Sequence, residues 1–318
     1  MTMQFLQPGR IAVVSGGRST ERERSLMSGR AAQESLDRQG YTTVLLDAAS
    51  KDFADQVRGV DVAFLAIAGQ YAEDGKLQGL LESLNIPYTG SGVTASAIGM
   101  HKTFAKTVAT AAGVAVLPSV NVPAGDRDTI THAITSTMAF PLILKPLSEG
   151  GSIGMTVCHD TAQLAAALPT VKAADGWFAE PFITGTPVTC GILEVDGSPV
   201  ALPPLETLPT DAEFYDYATK RDKTKYRYRC PAGLPSATLD AITTASLTAH
   251  NALACTGYSR SDFIVAPDGS PVWLEINTLP GLSQTGNLAT MAAAAGIDYD
   301  QLIRMILATA TTSERYRP

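Results

Sequence analysis

The residues best suited to chemistry lie in the stretch SRSDFIVAPDGSPVWLEIN, residues 259–277. Its centre, PDGS at 267–270, has the composition of a tight turn between two strand-like runs. If these four residues form the loop, Ala266 pairs with Pro271 and the two runs form an antiparallel hairpin. The sequence therefore predicts which residues of the two strands face each other.

The same register places Asp262 opposite Glu275 and Arg260 opposite Asn277. Facing residues share one side of a sheet, as do alternate residues along a strand. Two facing carboxylates repel each other unless a cation lies between them. Three oxygen-bearing side chains suit Mg²⁺ that is bound together with substrate phosphates. The simpler alternative is a surface hairpin with its acids in water, but the apolar residues in both strands argue that the hairpin is anchored.

A second candidate is LILKPLSEGGSIGM, residues 142–155, where Lys145 ends an apolar strand and a glycine-rich turn follows. Such a turn covers nucleotide phosphates with backbone N–H groups, and the lysine adds a positive charge. The stretch is neither a Walker A motif nor a dinucleotide-binding fingerprint, so alone it is also compatible with an ordinary turn. Lys102, at the start of an apolar helix, is equally unspecific by itself.

A third candidate is SGGRSTERE, residues 15–23, directly after the first apolar strand. Gly16 and Gly17 permit a tight turn, and the N-terminus of the helix that follows offers backbone N–H groups to an anion or carboxylate. Glu21 and Glu23 either complement the helix dipole or take part in substrate binding. The stretch alone does not decide between these two roles.

The elements that must position these residues follow from the hydrophobic pattern. Residues 10–96 alternate apolar strands with amphipathic helices, which predicts a small parallel α/β domain with its sites at the carboxyl ends of the strands. A mixed strand-and-loop region follows, then antiparallel hairpins, a long helix over about 236–255 and two closing helices. We predict an N-terminal substrate domain, a central lobe and a C-terminal lobe with the metal and acceptor site, spanning 1–95, 96–185 and 186–318.

Composition limits the classes of function. The chain has 318 residues, a net charge of -7 and a pI near 5.1, yet KRDKTKYRYR at 220–229 holds six basic residues and one acid. Such a run is typical of a solvated loop or a nucleic-acid patch, and the overall acidity argues against general nucleic-acid binding. The first residues lack the pattern of a signal peptide, and no apolar run is long enough to span a bilayer. The cysteines are isolated from one another, which predicts a protein of the reducing cytoplasm. The histidines are scattered, which predicts that the chain has no zinc site.

Taken in order, these motifs resemble a known family. GGRSTERE, AGQYAEDGKLQGLLESLNIPYTGSG, HK, LILKPLSEGGSIG, FYDYATK, CPA, RSD and LEINTLPG are similar to the motifs of D-alanine–D-alanine ligases of the ATP-grasp superfamily, from about residue 10 to 311. The resemblance implies an α/β (α+β) ATP-grasp fold preceded by a parallel α/β domain. It also implies a homodimer that acts on small molecules, with no nucleic acid or membrane as partner.

The resemblance implies a reaction and its cofactors. ATP phosphorylates the carboxylate of a first D-amino acid, and the amine of a second then attacks the acyl phosphate. Two Mg²⁺ ions, or Mn²⁺ in their place, would bridge the ATP phosphates, held by Asp262, Glu275 and Asn277. The further residues expected to bind ATP are Lys102, Lys145, Glu180 (near the adenine), Gly151 and Ser152.

Four further residues are expected to act on the substrates. By the same resemblance, Glu21 holds the ammonium group of the first amino acid, and Arg260 with the backbone N–H of Gly281 stabilises the oxyanion. Lys220 lies on the loop that closes over the site and reaches the phosphates. The basic run 220–229 is then a closing loop over a triphosphate, which is electrostatically sensible.

Several specificity positions depart from the family. Ala68 replaces the histidine of H-G-x-x-G-E-D-G, Gly151 replaces the first serine of E-G-S-S-V-G, and Pro187 replaces a glutamate expected at the ribose. Gly286 and Asn287 align with the serine–leucine pair that binds the second carboxylate. The residues expected to do the chemistry are kept, so the sequence predicts an active enzyme with altered specificity positions.

Arg221 replaces the tyrosine of the closing loop and leaves three alternatives open. It pairs with Glu21, meets an anionic group on the second substrate, or disfavours an ammonium there and so favours a hydroxy acid and an ester product. From the family resemblance we expect D-alanyl-D-alanine for peptidoglycan as the default product. The alternatives are a specialised enzyme with another acceptor, in resistance or natural-product biosynthesis, and, more distantly, a nucleic-acid-binding protein that uses 220–229.

Overall fold

The computed structural model describes residues 9–123, 125–148, 154–168, 176–209 and 226–310. These parts contain helices and strands arranged around three sheets. Within them, no helix is both long and apolar enough to cross a membrane.

The first sheet is parallel and lies near the N-terminus. Its strands are β1 (Ile11–Ser15), β2 (Thr43–Asp47) and β3 (Val62–Leu65), in the order β2-β1-β3. Every residue of β1 is buried, because this central strand is covered on both faces. Helices connect the strands and follow them: α1 (Arg22–Arg38), α2 (Phe53–Val57) and α3 (Lys76–Ser83). The predicted parallel α/β arrangement is confirmed.

The second sheet is antiparallel, in the order β4-β7-β5-β6. Its strands are β4 (Val120–Asn121), β5 (Leu142–Pro146), β6 (Thr156–Cys158) and β7 (Trp177–Pro181). The helices before and within this region are α4 (Val93–Met100), α5 (Lys102–Ala111), α6 (Arg127–Thr135) and α7 (Thr161–Ala167). The backbone N–H of Lys102 donates to the carbonyl of Leu147 at 3.0 Å, which ties the start of α5 to the end of β5.

The third sheet is also antiparallel, with β8 pairing with β9, β10 and β12. Its strands are β8 (Thr186–Val195), β9 (Ser198–Ala201), β10 (Leu205–Pro209), β11 (Tyr226–Arg229), β12 (Tyr258–Val265) and β13 (Pro271–Asn277). The remaining helices are α8 (Ser236–Ala252), α9 (Asn287–Ala294) and α10 (Tyr299–Ala308).

The hydrophobic cores cut across the predicted domain boundaries. One core joins the parallel sheet to α9 and α10, a second joins α4 and α5 to the third sheet, and a third lies under the second sheet. The hydroxyl of Ser35 and the guanidinium of Arg38 both donate to Asp300, at 2.7 and 2.6 Å, between α1 and α10. The division at 95 and 185 stays a prediction, and the packing shows that α10 lies against α1.

The hairpin of β12 and β13 differs from its prediction at the turn. The loop is one residue shorter than predicted: Ala266 pairs with Ser270, and the N–H of Gly269 donates to the carbonyl of Ala266 at 2.9 Å. Gly269 has a φ of 88°, the left-handed conformation that closes a three-residue hairpin loop. The predicted pairing of Ala266 with Pro271 is therefore wrong by one residue, because Pro271 pairs with Val265.

A bulge restores the predicted register farther along the hairpin. Phe263 pairs with Trp273 but Asp262 pairs with Glu275, so Leu274 is an extra residue on β13. Beyond it, Arg260 faces Asn277. The predicted opposition of the polar residues is confirmed, although the turn that was used to derive it is not.

Candidate functional site

A large cavity is lined by residues of the second and third sheets and by residues that follow strands β1 and β3 of the first sheet. It has a volume of about 850 Å³. The predicted site residues that line it are Glu21, Ala68, Lys102, Lys145, Glu180, Arg260, Asp262, Glu275, Asn277, Gly281, Gly286 and Asn287. Four predicted residues, Gly151, Ser152, Lys220 and Arg221, lie outside the described residues. The structure therefore brings together predicted site residues that lie more than 250 positions apart in the sequence.

The middle of the cavity is formed by the polar face of β12 and β13. Arg260 donates from Nε to Oδ1 of Asp262 at 2.8 Å and from Nη2 to Oδ2 at 3.0 Å. The hydroxyl of Thr189 on β8 also donates to Asp262 Oδ1, at 2.7 Å. Burial alone would lower the pKa of the Arg260 guanidinium, but the Asp262 carboxylate outweighs burial and raises it. Arg260 is therefore a fixed cation held in place by its neighbour on the same strand face.

Glu275 and Asn277 continue this face on the neighbouring strand. The Nζ of Lys102 lies 3.4 Å from Oε2 of Glu275. Oδ1 of Asn277 accepts the N–H of Leu279 at 2.9 Å, which orients the amide at the end of β13. Each of the two facing carboxylates thus has a cation beside it, as the repulsion between them requires.

The oxygen donors fit a divalent cation that also binds phosphate. The described residues hold no group of three or more His, Cys, Asp or Glu side chains suited to a metal. Two carboxylates with one amide suit Mg²⁺ only if phosphate oxygens and water complete the shell, which is how Mg²⁺ is commonly held in nucleotide sites. The residues that could hold it are Asp262, Glu275 and Asn277.

One end of the cavity contains a buried carboxylate between two lysines. Glu180 on β7 is 2% exposed; its Oε1 accepts from Nζ of Lys145 on β5 at 2.5 Å, and its Oε2 accepts from Nζ of Lys106 on α5. Lys106 also lies 5.6 Å from the centroid of the Phe178 ring. Burial alone would raise the pKa of Glu180, but the charges of Lys145 and Lys106 lower it below its ordinary value. This end carries more positive than negative charge.

Lys106 was missed in the sequence, although a signal for it exists. It follows Lys102 by four residues on the same helix, so both lie on one helix face. Nothing in that spacing tells that Lys106 is only 3% exposed or that its partner is Glu180. The predicted proximity of Glu180 to an adenine stays a prediction.

The other end of the cavity lies against the N-terminal domain. Glu21 precedes α1, and its N–H donates to the hydroxyl of Ser19 at 3.2 Å. That hydroxyl in turn donates to the carbonyl of Ala68 at 3.0 Å. The loop after β1 is thereby fixed to the loop after β3, at the carboxyl ends of neighbouring strands as predicted.

A second carboxyl group at this end was also missed. Glu73 is 6% exposed, lines the cavity, and its Oε2 accepts the N–H of Gly69 at 2.6 Å. Its Oε1 is buried and has no hydrogen-bond partner among the described residues. Burial, followed by the nearby charge of Glu21, raises the pKa of Glu73 to about 8. Glu73 is the glutamate of the family motif H-G-x-x-G-E-D-G, so the motif marks the residue, but no periodic pattern in the sequence shows that this acid is buried.

The turn after β13 is anchored from two sides and carries the last predicted residues. The N–H of Leu282 donates to the hydroxyl of Ser28 on α1 at 3.2 Å, and the hydroxyl of Tyr299 donates to the carbonyl of Leu282 at 2.5 Å. This fixes Gly281 beside the cavity. A Cβ at Gly286 would lie 2.8 Å from Ser283 Oγ, so this position accommodates glycine best.

Comparison with protein families gives matches to two family models, one in the N-terminal part of the chain and one in the C-terminal part. A family model described as "D-ala D-ala ligase C-terminus" matches residues 108–308, and one described as "D-ala D-ala ligase N-terminus" matches residues 47–91. The chain is 40% identical over 301 residues to the D-alanine–D-alanine ligase of Anaeromyxobacter sp. (strain K), covering 94% of this chain and 96% of that protein. It is also 40% identical over 313 residues to the ligase of the same name from Geotalea uraniireducens (strain Rf4), covering 98% of each.

Solved structures agree with these sequence matches. The fold is similar to a D-alanine–D-alanine ligase from Bacillus anthracis complexed with ATP, with a TM-score of 0.80 and 32% identity over 94% of this chain and 96% of that chain. It is also similar to the VanG D-Ala:D-Ser ligase from Enterococcus faecalis, with a TM-score of 0.80 and 25% identity over 94% of this chain and 98% of that chain.

Proposed function

This chain belongs to the D-alanine–D-alanine ligase family, and we propose that it joins two molecules of D-alanine at the expense of ATP. The fold is the ATP-grasp fold of that family, and the enzyme is an ATP-dependent ligase that forms a peptide bond. The observation that carries the proposal is the shared cavity. It places a charged strand face between a lysine-rich end and an acidic end.

The lysine-rich end suits the nucleotide. Lys102 and Lys145 line the cavity, and a triphosphate entering there would replace carboxylates as the partners of their ammonium groups. Mg²⁺ held by Asp262, Glu275 and Asn277 would supply positive charge to the phosphates during transfer. ATP donates its terminal phosphoryl group to the carboxylate of the first amino acid, which gives an acyl phosphate and ADP.

The acidic end suits the first amino acid, and Arg260 suits the second step. Glu21 is placed to bind an ammonium group, so the carboxylate of that substrate points toward the strand face. The amine of the second substrate then attacks the acyl phosphate, and the oxygen that becomes negative is stabilised by Arg260 and the N–H of Gly281. The carbon–oxygen bond to phosphate breaks, phosphate leaves and the peptide bond remains.

A second candidate differs only in the acceptor. It is favoured by Gly286 and Asn287, which line the cavity where the second carboxylate is expected and differ from the family's serine–leucine pair. Arg221, outside the described residues, adds to this case. D-serine, another D-amino acid or a D-hydroxy acid would then be the second substrate.

Phosphate release with D-alanine and ATP tests the proposal, followed by pairs of D-alanine with D-serine, other D-amino acids and D-lactate. Rapid release with D-alanine alone, with the dipeptide identified by mass spectrometry, is the expected result. Release with a mixed pair but none with D-alanine alone would overturn D-alanine as acceptor and support the second candidate. No release with any pair would overturn the ligase assignment.

Assembly and location are also proposals. We infer a homodimer, which size-exclusion chromatography with light scattering tests directly. We place the enzyme in the cytoplasm, because ATP is supplied there, and assign its product to the precursor of peptidoglycan.

A further inference from the structure

Several carboxyl groups that line this cavity, Glu23, Glu73 and Glu206 among them, have no role in the reaction outlined above. Of these three, only Glu73 has a buried oxygen without a hydrogen-bond partner among the described residues. We propose that Glu73 acts with Glu21 as a second carboxylate that binds the ammonium group of the first amino acid and selects it against substrates that lack one. This inference deepens the proposed function and rests on it. The argument uses the position of the carboxyl, its missing partner and the charges around it.

The position follows from Gly69, which both carboxyl groups approach. Oε2 of Glu73 accepts the N–H of Gly69 at 2.6 Å. A Cβ at Gly69 would lie only 3.4 Å from Oε2 of Glu21. The two acids are therefore neighbours across one glycine, although they come from loops after different strands. Both line the cavity.

The missing partner indicates a ligand. Oε1 of Glu73 is buried without a hydrogen-bond partner in the parts of the chain that the structure describes. A buried polar atom left in this state is unfavourable, because it has lost its hydration without gaining a hydrogen bond. Its other oxygen is already bonded to Gly69, so the side chain is held in place. The positive charge of an incoming cation would lower the raised pKa of Glu73, so that the carboxyl ionises and Oε1 accepts a hydrogen bond. A donor that enters the cavity with the substrate would satisfy it.

The surrounding charges indicate that this donor is a cation. Besides burial, the charges of Glu21 and Glu275 act to raise the pKa of Glu73, while the N–H of Gly69 and the charge of Arg260 act to lower it. Arg260 is already paired in bidentate fashion with Asp262. An ammonium group carries three N–H donors and one positive charge, so one such group can bond both Glu21 and Glu73 and relieve their repulsion.

Selectivity should follow from this pairing. D-alanine and D-lactate have nearly the same shape, but D-lactate has a hydroxyl in place of the ammonium group. Two carboxylates around that position favour the ammonium more strongly than one does, because each adds a charge-assisted hydrogen bond. A neutral residue at position 73 that keeps the bond to Gly69 should weaken the binding of D-alanine and leave that of D-lactate almost unchanged.

The test compares the full-length enzyme with Glu73→Gln. Binding of D-alanine and of D-lactate is measured by calorimetry at pH 7.5 with Mg²⁺ and a non-hydrolysable ATP analogue. We expect Glu73→Gln to weaken the binding of D-alanine at least tenfold and to change the affinity for D-lactate less than twofold. The affinity for the ATP analogue should stay unchanged. Glu34→Gln, which removes an exposed carboxylate from α1, is the matched control and should change none of these values.

The outcomes separate this inference from the proposed function. A D-alanine to D-lactate ratio in Glu73→Gln within twofold of the wild type would overturn the role of Glu73 alone. Glu73→Asp keeps the charge and should retain most of the preference; an equal loss in both variants would show a merely structural role. Wild-type enzyme that neither binds nor turns over D-alanine would overturn the proposed function, and this inference with it.

Discussion

Two buried glutamates at opposite ends of one cavity behave in opposite ways. Glu180 is held between Lys145 and Lys106, and their charges lower its pKa despite burial. Glu73 is bonded only to the backbone N–H of Gly69 and lies near Glu21, so its pKa rises to about 8. Burial is similar in both, and the neighbouring charges decide which one is ionised.

The difference shows how the two ends are prepared. At the nucleotide end, charges are paired before any ligand arrives, so the lysines are already oriented for phosphate. At the amino-acid end, Glu21 has Arg24 only at 4.0 Å, and Glu73 forms no ion pair among the described residues, so a substrate ammonium group would supply the missing cation. The nucleotide end is therefore preformed, and the amino-acid end is completed by its ligand. The two ends lie on either side of the strand face formed by Arg260, Asp262, Glu275 and Asn277.

The largest effect should come from the strand face itself, on which both ends depend. Asp262→Asn should lower turnover by about 1,000-fold, because several kcal/mol of charge stabilisation at the phosphates would be lost. Asp268→Asn, in the exposed turn of the same hairpin, is the matched control. Phosphate release under saturating substrates measures both. Turnover of Asp262→Asn within tenfold of the wild type would refute the metal assignment.

The next largest effect should break the pairing at the nucleotide end. Lys106→Met leaves Glu180 buried with a single lysine and should cost about 3–5 kcal/mol of stability, the range for removing one partner of a buried ion pair. Urea unfolding at pH 7 measures the loss. Adding Glu180→Gln to this variant should recover part of it, because the unpaired charge is then gone. A loss below about 1 kcal/mol would show that Lys106 is not part of the pair.

A smaller effect should appear at the amino-acid end as a dependence on pH. The pKa of Glu73 rises from its ordinary 4.5 to about 8 on folding. Its contribution to stability is therefore full below about pH 4.5 and is lost as the pH rises toward 8. Burial is the main cause of this shift; the charges of Glu21 and Glu275 add to it, and the N–H of Gly69 and the charge of Arg260 oppose it.

Glu73→Gln should remove this dependence. We expect the variant to gain on the order of 3–4 kcal/mol over the wild type between pH 5 and pH 8. Unfolding curves measured across that range, with Glu34→Gln as control, test it. A difference between variant and wild type that does not change with pH would contradict the raised pKa.

The smallest effect sharpens the comparison between buried and exposed pairs. The Nζ of Lys76 lies 2.8 Å from Asp74, but its side chain is 71% exposed. Lys76→Met, the same substitution as at position 106, should cost only about 0.5 kcal/mol, because solvent screens an exposed pair. A cost of more than about 2 kcal/mol would mean that burial does not explain the difference between the two lysines.

The hairpin of β12 and β13 shows how far sequence reasoning reaches and where it errs. The turn was predicted one residue too long, yet the opposition of Asp262 and Glu275 is confirmed because an extra residue at Leu274 compensates. Turn composition predicts that a hairpin forms, whereas bulges depend on packing that no local pattern encodes. Polar residues at matched distances from a turn still converge on one face.

The sequence by itself determined the elements, the ATP-grasp fold and the family, because hydrophobic periodicity and the order of motifs are local properties of the chain. It also identified twelve of the residues that line the cavity. Only the tertiary structure decided that Lys106 meets Glu180, that Glu73 lies beside Glu21, and that α10 returns to pack on α1. Protonation and pairing depend on burial and on charges from distant segments, and these exist only once the three sheets are assembled.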